Sequence, residues 1–126
     1  MTNTASEKEY LYSCAHAHYE GGNYPEAEKI FAHLTLASPF EERFWLGVSS
    51  TRQMQEKYRE ALSGWAVLAL LDEANPTPHF HAAECLLSLH ERDDALKALK
   101  AAENRCTDRF LALKRKIQVL KEVHCS

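Results

Sequence analysis

The chain has 126 residues, 45% of them apolar and 26% charged, with a net charge of −3. That length holds one domain with its own core, the mixture excludes a disordered tail, and the slight acidity excludes a nucleic-acid binder held by phosphate contacts. Four Gly and four Pro are too few for the many tight turns of an all-β chain, whereas abundant Ala, Leu, Glu and Lys favour helix. No apolar run reaches the roughly 18 residues of a membrane span. The opening Met1-Thr2-Asn3-Thr4-Ala5-Ser6-Glu7-Lys8 lacks the basic end and apolar stretch of a signal peptide, so a cytoplasmic protein is expected.

Seven helices are predicted, in chain order over 6–20, 24–37, 41–55, 58–73, 77–89, 92–104 and 108–123. Gly21-Gly22-Asn23 ends the first, because Gly accepts the left-handed conformation beyond a helix end. Pro25 suits the first turn of the second. Ser38-Pro39 and Asn75-Pro76-Thr77-Pro78 break the chain further on. His90-Glu91 stands where the first helix pair has glycine, a weaker turn signal. Thr107 is placed to cap the last helix, with Asp108 in its first turn. Phe110, Leu111, Leu113, Ile117, Leu120 and Val123 approximate one apolar face of that helix, and Arg109, Lys114, Arg115, Lys116 and Lys121 make the rest a basic, solvated surface.

A step of 34 residues runs through the chain. It relates Ala27, Ala61 and Ala95; Phe31, Trp65 and Leu99; Leu34, Leu68 and Ala102; Cys14, Val48 and Ala82; and Ala15, Ser49 and Ala83. Helices packed about 8–10 Å apart need small side chains at their closest approach, and the alanines supply them, with bulk one turn later. The period and its Ala-x3-Phe core are those of the tetratricopeptide repeat. The expected fold is therefore all-α, with three tetratricopeptide repeats in a right-handed superhelix and a C-terminal capping helix. A single domain is expected over 1–126, with repeats at 8–41, 42–75 and 76–109 and the cap at 108–123.

Little in the chain points to chemistry. Cys14, Cys85, Cys106 and Cys125 lie far apart with no C-x-x-C pair, so reduced thiols are expected and neither structural zinc nor a disulfide scaffold. His16-Ala17-His18 and His79-Phe80-His81 are two-residue spacings whose side chains diverge by about 200° on a helix, so no metal and no other cofactor is expected. No nucleophile motif or phosphate loop is present. Glu41-Glu42 and Asp93-Asp94 sit at helix starts, where the dipole accounts for them. The expectation is a protein that is not an enzyme.

The remaining feature is the free face of each repeat's first helix. Its columns are Tyr12, Leu46 and Phe80, then His16, Ser50 and Glu84, then Tyr19, Gln53 and Leu87. Tyr12, His16 and Tyr19 share one helix face. Recurrent aromatic and apolar residues on a face that the fold itself need not bury mark a binding surface. Met54 stands beside it as an adaptable wall.

Three stretches carry a family resemblance: Leu11-Tyr12-Ser13 with Tyr19-Glu20-Gly21-Gly22-Asn23-Tyr24-Pro25-Glu26-Ala27; Arg43-Phe44-Trp45-Leu46-Gly47 with Arg52-Gln53; and Phe80-His81-Ala82-Ala83-Glu84-Cys85-Leu86-Leu87. Over roughly residues 8–105 the chain resembles the class II chaperones of bacterial type III secretion systems, which serve the translocator proteins. The resemblance implies a concave groove that holds an extended N-terminal segment of a hydrophobic, pore-forming translocator, keeping it soluble and unassembled in the bacterial cytoplasm. On that reading Tyr12, Tyr19, Leu46, Phe80 and Leu87 form pockets, and His16, Ser50, Gln53 and Glu84 meet the client's backbone. No nucleic acid and no membrane insertion are implied. Members usually carry a longer N-terminal extension that contributes to dimerisation; residues 1–7 precede the first repeat here, so at most a weak homodimer is expected. The alternative is a regulatory or scaffolding tetratricopeptide protein binding another partner's tail. A clamp for acidic tails would need Lys and Arg in the groove columns, which hold Tyr, Leu, Phe, Gln and His instead.

Overall fold

The computed structural model describes residues 3–125. Its helices are α1 (Ala5–Glu20), α2 (Tyr24–Ala37), α3 (Glu42–Met54), α4 (Tyr58–Leu71), α5 (Thr77–Ser88), α6 (Arg92–Arg105) and α7 (Leu111–Cys125), with a turn of 3-10 helix at Asp108–Phe110. No strand occurs among the described residues. The chain divides by its contacts into two compact units, one ending at Leu71 and holding α1 to α4, the other starting at Asp72 and holding α5 to α7.

In the first unit α1 starts at a reciprocal cap. The Thr4 hydroxyl accepts from the Glu7 amide at 3.1 Å and the Glu7 carboxylate accepts from the Thr4 amide at 3.2 Å, so two end groups of the helix are satisfied together. Pro25 occupies the first turn of α2, where its missing N–H costs nothing. Ala15, Ala27, Phe31, Leu34, Phe44 and Val48 form a buried cluster. Ala61, Trp65 and Leu68 are the buried apolar residues of α4. The crossing of α3 and α4 is especially close: a Cβ on Gly64 would stand 1.9 Å from the Ser49 hydroxyl oxygen. Trp65 Nε1 donates to Gln53 Oε1 at 2.9 Å, so a buried ring reaches one polar partner across that crossing.

The three pairs turn alike. The Asn23, Lys57 and Glu91 amides donate to the carbonyls of His18, Arg52 and Leu86 at 2.8, 2.9 and 2.9 Å, and those of Gly22, Glu56 and His90 to Tyr19, Gln53 and Leu87 at 3.1, 3.0 and 3.0 Å. These bonds satisfy two of the orphan carbonyls at each helix end. They require a left-handed residue between them, and Gly22, Glu56 and His90 have φ of 80°, 63° and 61°. The third turn is thus made in full without glycine.

A carboxylate ties the first two pairs together. Glu28 on α2 accepts from Gln55 Nε2 at 2.7 Å, Lys57 Nζ at 2.9 Å and Arg52 Nε at 3.3 Å. Burial opposes its ionisation, yet the hydrogen bonds from Lys57, Gln55 and Arg52 prevail and hold its pKa below the ordinary carboxylate value.

The second unit buries Phe80, Ala83, Leu99, Ala102 and Ile117 together. Lys121 Nζ on α7 donates to both Glu103 oxygens at 3.1 and 3.2 Å, and Arg105 Nε to the Glu73 carbonyl at 2.7 Å. The last helix departs from expectation at its start. The chain leaves α6 extended at Cys106, and residues 108–110 form the tighter 3-10 turn, closed by the Phe110 amide on the Thr107 carbonyl at 2.9 Å. Thr107 makes no side-chain capping bond; it precedes the 3-10 turn, and α7 proper begins at Leu111. The expected apolar face is also only half used: Ile117 is buried, while Leu111 and Val123 are 51% and 64% exposed.

Two outcomes follow from these turns and ties. His90→Gly should raise stability by about 0.5–1 kcal/mol in chemical denaturation, the relief of the left-handed residue exceeding the entropy that glycine costs. Glu28→Gln should cost about 1–2 kcal/mol at neutral pH. A lowered native pKa contributes stability above the unfolded pKa and loses it as pH falls through the native one, so the gap between Glu28→Gln and the parent should close on acidification below the ordinary carboxylate range.

Candidate functional site

In the first unit a recess of about 200 Å³ opens between α1 and α3, lined by Tyr12, His16, Tyr19, Phe31, Arg43, Leu46, Gly47 and Ser50. Its floor depends on a glycine. A Cβ on Gly47 would fall 2.4 Å from the Phe31 ring, so that ring occupies the space of the missing side chain. The Tyr12 ring stands edge-on to Phe31 with centroids 6.0 Å apart, and lies 5.8 Å from Phe44 and 6.1 Å from His16. Arg43 sits 4.6 Å above the Tyr12 ring, a favourable cation–π distance. It is neutralised there: Nη2 donates to Glu9 Oε1 at 2.7 Å and Nε to Glu41 Oε1 at 3.2 Å. The Glu9 bond above all holds the guanidinium in its charged form, and in return keeps the Glu9 pKa low. Tyr19 packs edge-on against Tyr24 at 5.5 Å, and burial, with Tyr24 and Glu20 nearby, pushes its phenol pKa up.

In the second unit a recess of about 490 Å³ lies between α5 and α7, lined by Phe80, His81, Glu84, Arg115, Lys116, Val119 and Leu120. His81 Nδ1 and Glu84 Oε1 are 2.6 Å apart. Among the described residues no group of three or more His, Cys, Asp or Glu is arranged to hold a metal ion.

Of the ten residues singled out in the sequence, Tyr12, His16, Tyr19, Leu46 and Ser50 share the first recess, and Phe80 and Glu84 share the second. Gln53, Met54 and Leu87 line neither. Gln53 is engaged with Trp65, Met54 is 51% exposed at the last residue of α3, and Leu87 is half-buried. One expectation needs correction. Its column places Phe80 on a face that the fold need not bury, but Phe80 is 5% exposed and belongs to the core cluster of its unit, whereas Leu46 in the same column is 46% exposed. The difference arises because α7 contributes Ile117 to the cluster that holds Phe80. Sequence reasoning missed Arg43, Gly47, His81 and the α7 wall. A glycine inside a helical pattern was the available signal for close approach at 47.

Helix pairs at a step of 34 residues, with small residues buried at each crossing, define a tetratricopeptide-repeat protein. No family model matches the chain. It is 36% identical over 101 residues to the low calcium response locus protein H of Yersinia pestis, a match covering 80% of this chain and 60% of that protein's length. The type III secretion chaperone SycD of Yersinia enterocolitica, in complex with a peptide of the translocator YopD, superimposes with a TM-score of 0.90 at 31% identity, over 95% of this chain and 93% of that one. PcrH, a protein of Pseudomonas aeruginosa, in complex with the chaperone binding region of PopD gives 0.91 at 28% identity, over 99% and 96%. The chain belongs to the family of type III secretion translocator chaperones.

The corrected place of Phe80 is testable. Phe80→Ala should cost about 3–5 kcal/mol in denaturant, as for a core ring; a midpoint within error of the parent would return Phe80 to the surface.

Proposed function

We propose that this protein is a chaperone of hydrophobic translocators in the bacterial cytoplasm, and that the Tyr12–Leu46 recess grips an extended apolar segment of the client. The recess itself carries the reading. Aromatic and aliphatic side chains from α1 and α3 line it, and such concave apolar sites bind apolar anchors. His16 and Ser50 stand among them as polar groups able to meet the backbone that an extended ligand leaves unpaired. SycD in complex with a YopD peptide and PcrH in complex with the chaperone binding regions of PopD and PopB support it. Among the described residues no helix is long and apolar enough to cross a membrane. The mechanism is occupancy: covering the client's sticky segment lowers its free concentration and blocks early assembly, with no bond made or broken. The dimers of SycD support a weak homodimer here as well.

Leu46→Glu is the decisive variant. Leu46 lines the recess and is 46% exposed, so the fold tolerates the change, while a carboxylate in an apolar site carries a desolvation penalty. The chain should be co-expressed with each apolar, pore-like protein that sequencing finds encoded beside its gene. The parent should co-purify with one of them, and Leu46→Glu should weaken binding of that client's N-terminal segment by at least about 2 kcal/mol, roughly thirtyfold in Kd, at an unchanged Tm. Parent-like binding by Leu46→Glu would refute the site.

A further inference from the structure

We propose that the recess between α5 and α7 receives a segment that is acidic as well as apolar: an aliphatic side chain with a carboxylate next to it. This rests on the chaperone reading and adds to it a charge preference in one part of the client.

The two recesses differ in how their cations are used. In the first, Arg43 is spent on Glu9 and Glu41. In the second, Arg115 and Lys116 are exposed, and among the described residues neither side chain forms an ion pair or hydrogen bond. Two other cations of the same unit are occupied, Lys121 by Glu103 and Arg105 by the carbonyls of Glu73 and Ala101. Against these two cations the recess holds one acid, Glu84, which lies 2.6 Å from His81. From Leu111 to Lys121 the helix carries Lys114, Arg115, Lys116 and Lys121 and no acid. The field at this rim is therefore positive, and a guanidinium there has its fork of donors available for a carboxylate.

The apolar part is one helical turn away. Val119 and Leu120 follow Arg115 and Lys116 at i+4, on the same face of α7, and Phe80 lies beneath at 5% exposure. Val119 is 56% exposed, so apolar surface stands open beside unneutralised charge. An aliphatic anchor seated over Val119 and Leu120 puts the neighbouring residue of its chain within reach of the cations. An uncharged or basic neighbour would leave them unanswered.

The test uses the full chain and three synthetic peptides of about twelve residues that differ only beside a central Leu, where they carry Glu, Gln or Lys. Fluorescence polarisation should show the Glu peptide binding roughly fivefold more tightly than the Gln peptide at about 50 mM salt, with the Lys peptide weakest and the gap lost at about 500 mM. Arg115→Gln/Lys116→Gln should abolish the preference at an unchanged Tm, and amide resonances of Val119 and Leu120 should move on titration with the Glu peptide. Equal binding of the Glu and Gln peptides would overturn the proposal. So would no binding at all, shifts confined to the Tyr12–Leu46 recess, or loss of self-association in the double variant without peptide, which would make the rim a contact between copies. Failure of the chaperone reading shows separately, as client co-purification indifferent to Leu46→Glu.

Discussion

Two helices of a pair can lie close only where neither carries bulk at the crossing. Ala15, Ser49 and Ala83 on the first helices and Ala27, Ala61 and Ala95 on the second are all at 0% exposure, and at the α3–α4 crossing there is no room even for a Cβ on Gly64. Everything else follows from that proximity. The large residues Phe31, Trp65 and Leu99 move one turn along and fill the wider space, and the opposite side of each first helix is released from packing between the pair. In the first unit that released side becomes the recess, with Gly47 letting Phe31 serve both core and floor.

The helix pairs were legible because crossing geometry leaves a strict trace. A small residue every 34 positions is a packing requirement written once per repeat, and it located α2, α4 and α6 to within a residue or two. The left-handed residue within a turn was legible only where glycine marked it. At Glu56 and His90 the left-handed conformation is imposed by two backbone hydrogen bonds that outweigh its local cost, and side-chain chemistry does not announce that. The start of α7 misled for a related reason. Thr107 has the composition of a cap, but an extended exit from α6 followed by a 3-10 turn put it one turn ahead of the helix.

The first recess was legible in outline, since Tyr12, His16 and Tyr19 repeat at helical spacing and Leu46 and Ser50 continue their columns. Arg43 was not, because its place above Tyr12 depends on Glu9, 34 residues earlier, and on Glu41. Phe80 shows the opposite failure. Periodicity gives equivalent positions equivalent directions, but it cannot see that α7 adds Ile117 to the core around one of them. The same helix, read as a solvated cap, also supplies the basic wall of the second recess.

The division at Leu71 has a spectroscopic consequence. Both tryptophans and all five tyrosines precede it: Trp45, Trp65, Tyr10, Tyr12, Tyr19, Tyr24 and Tyr58. Near-ultraviolet absorbance and intrinsic emission of this protein therefore belong almost wholly to α1–α4, whereas the far-ultraviolet helical signal is shared by both units. The two optical transitions coincide only when the units melt as one. Any interval between them on a temperature or urea axis is a direct reading of how strongly the two halves cooperate, obtained without label or mutation.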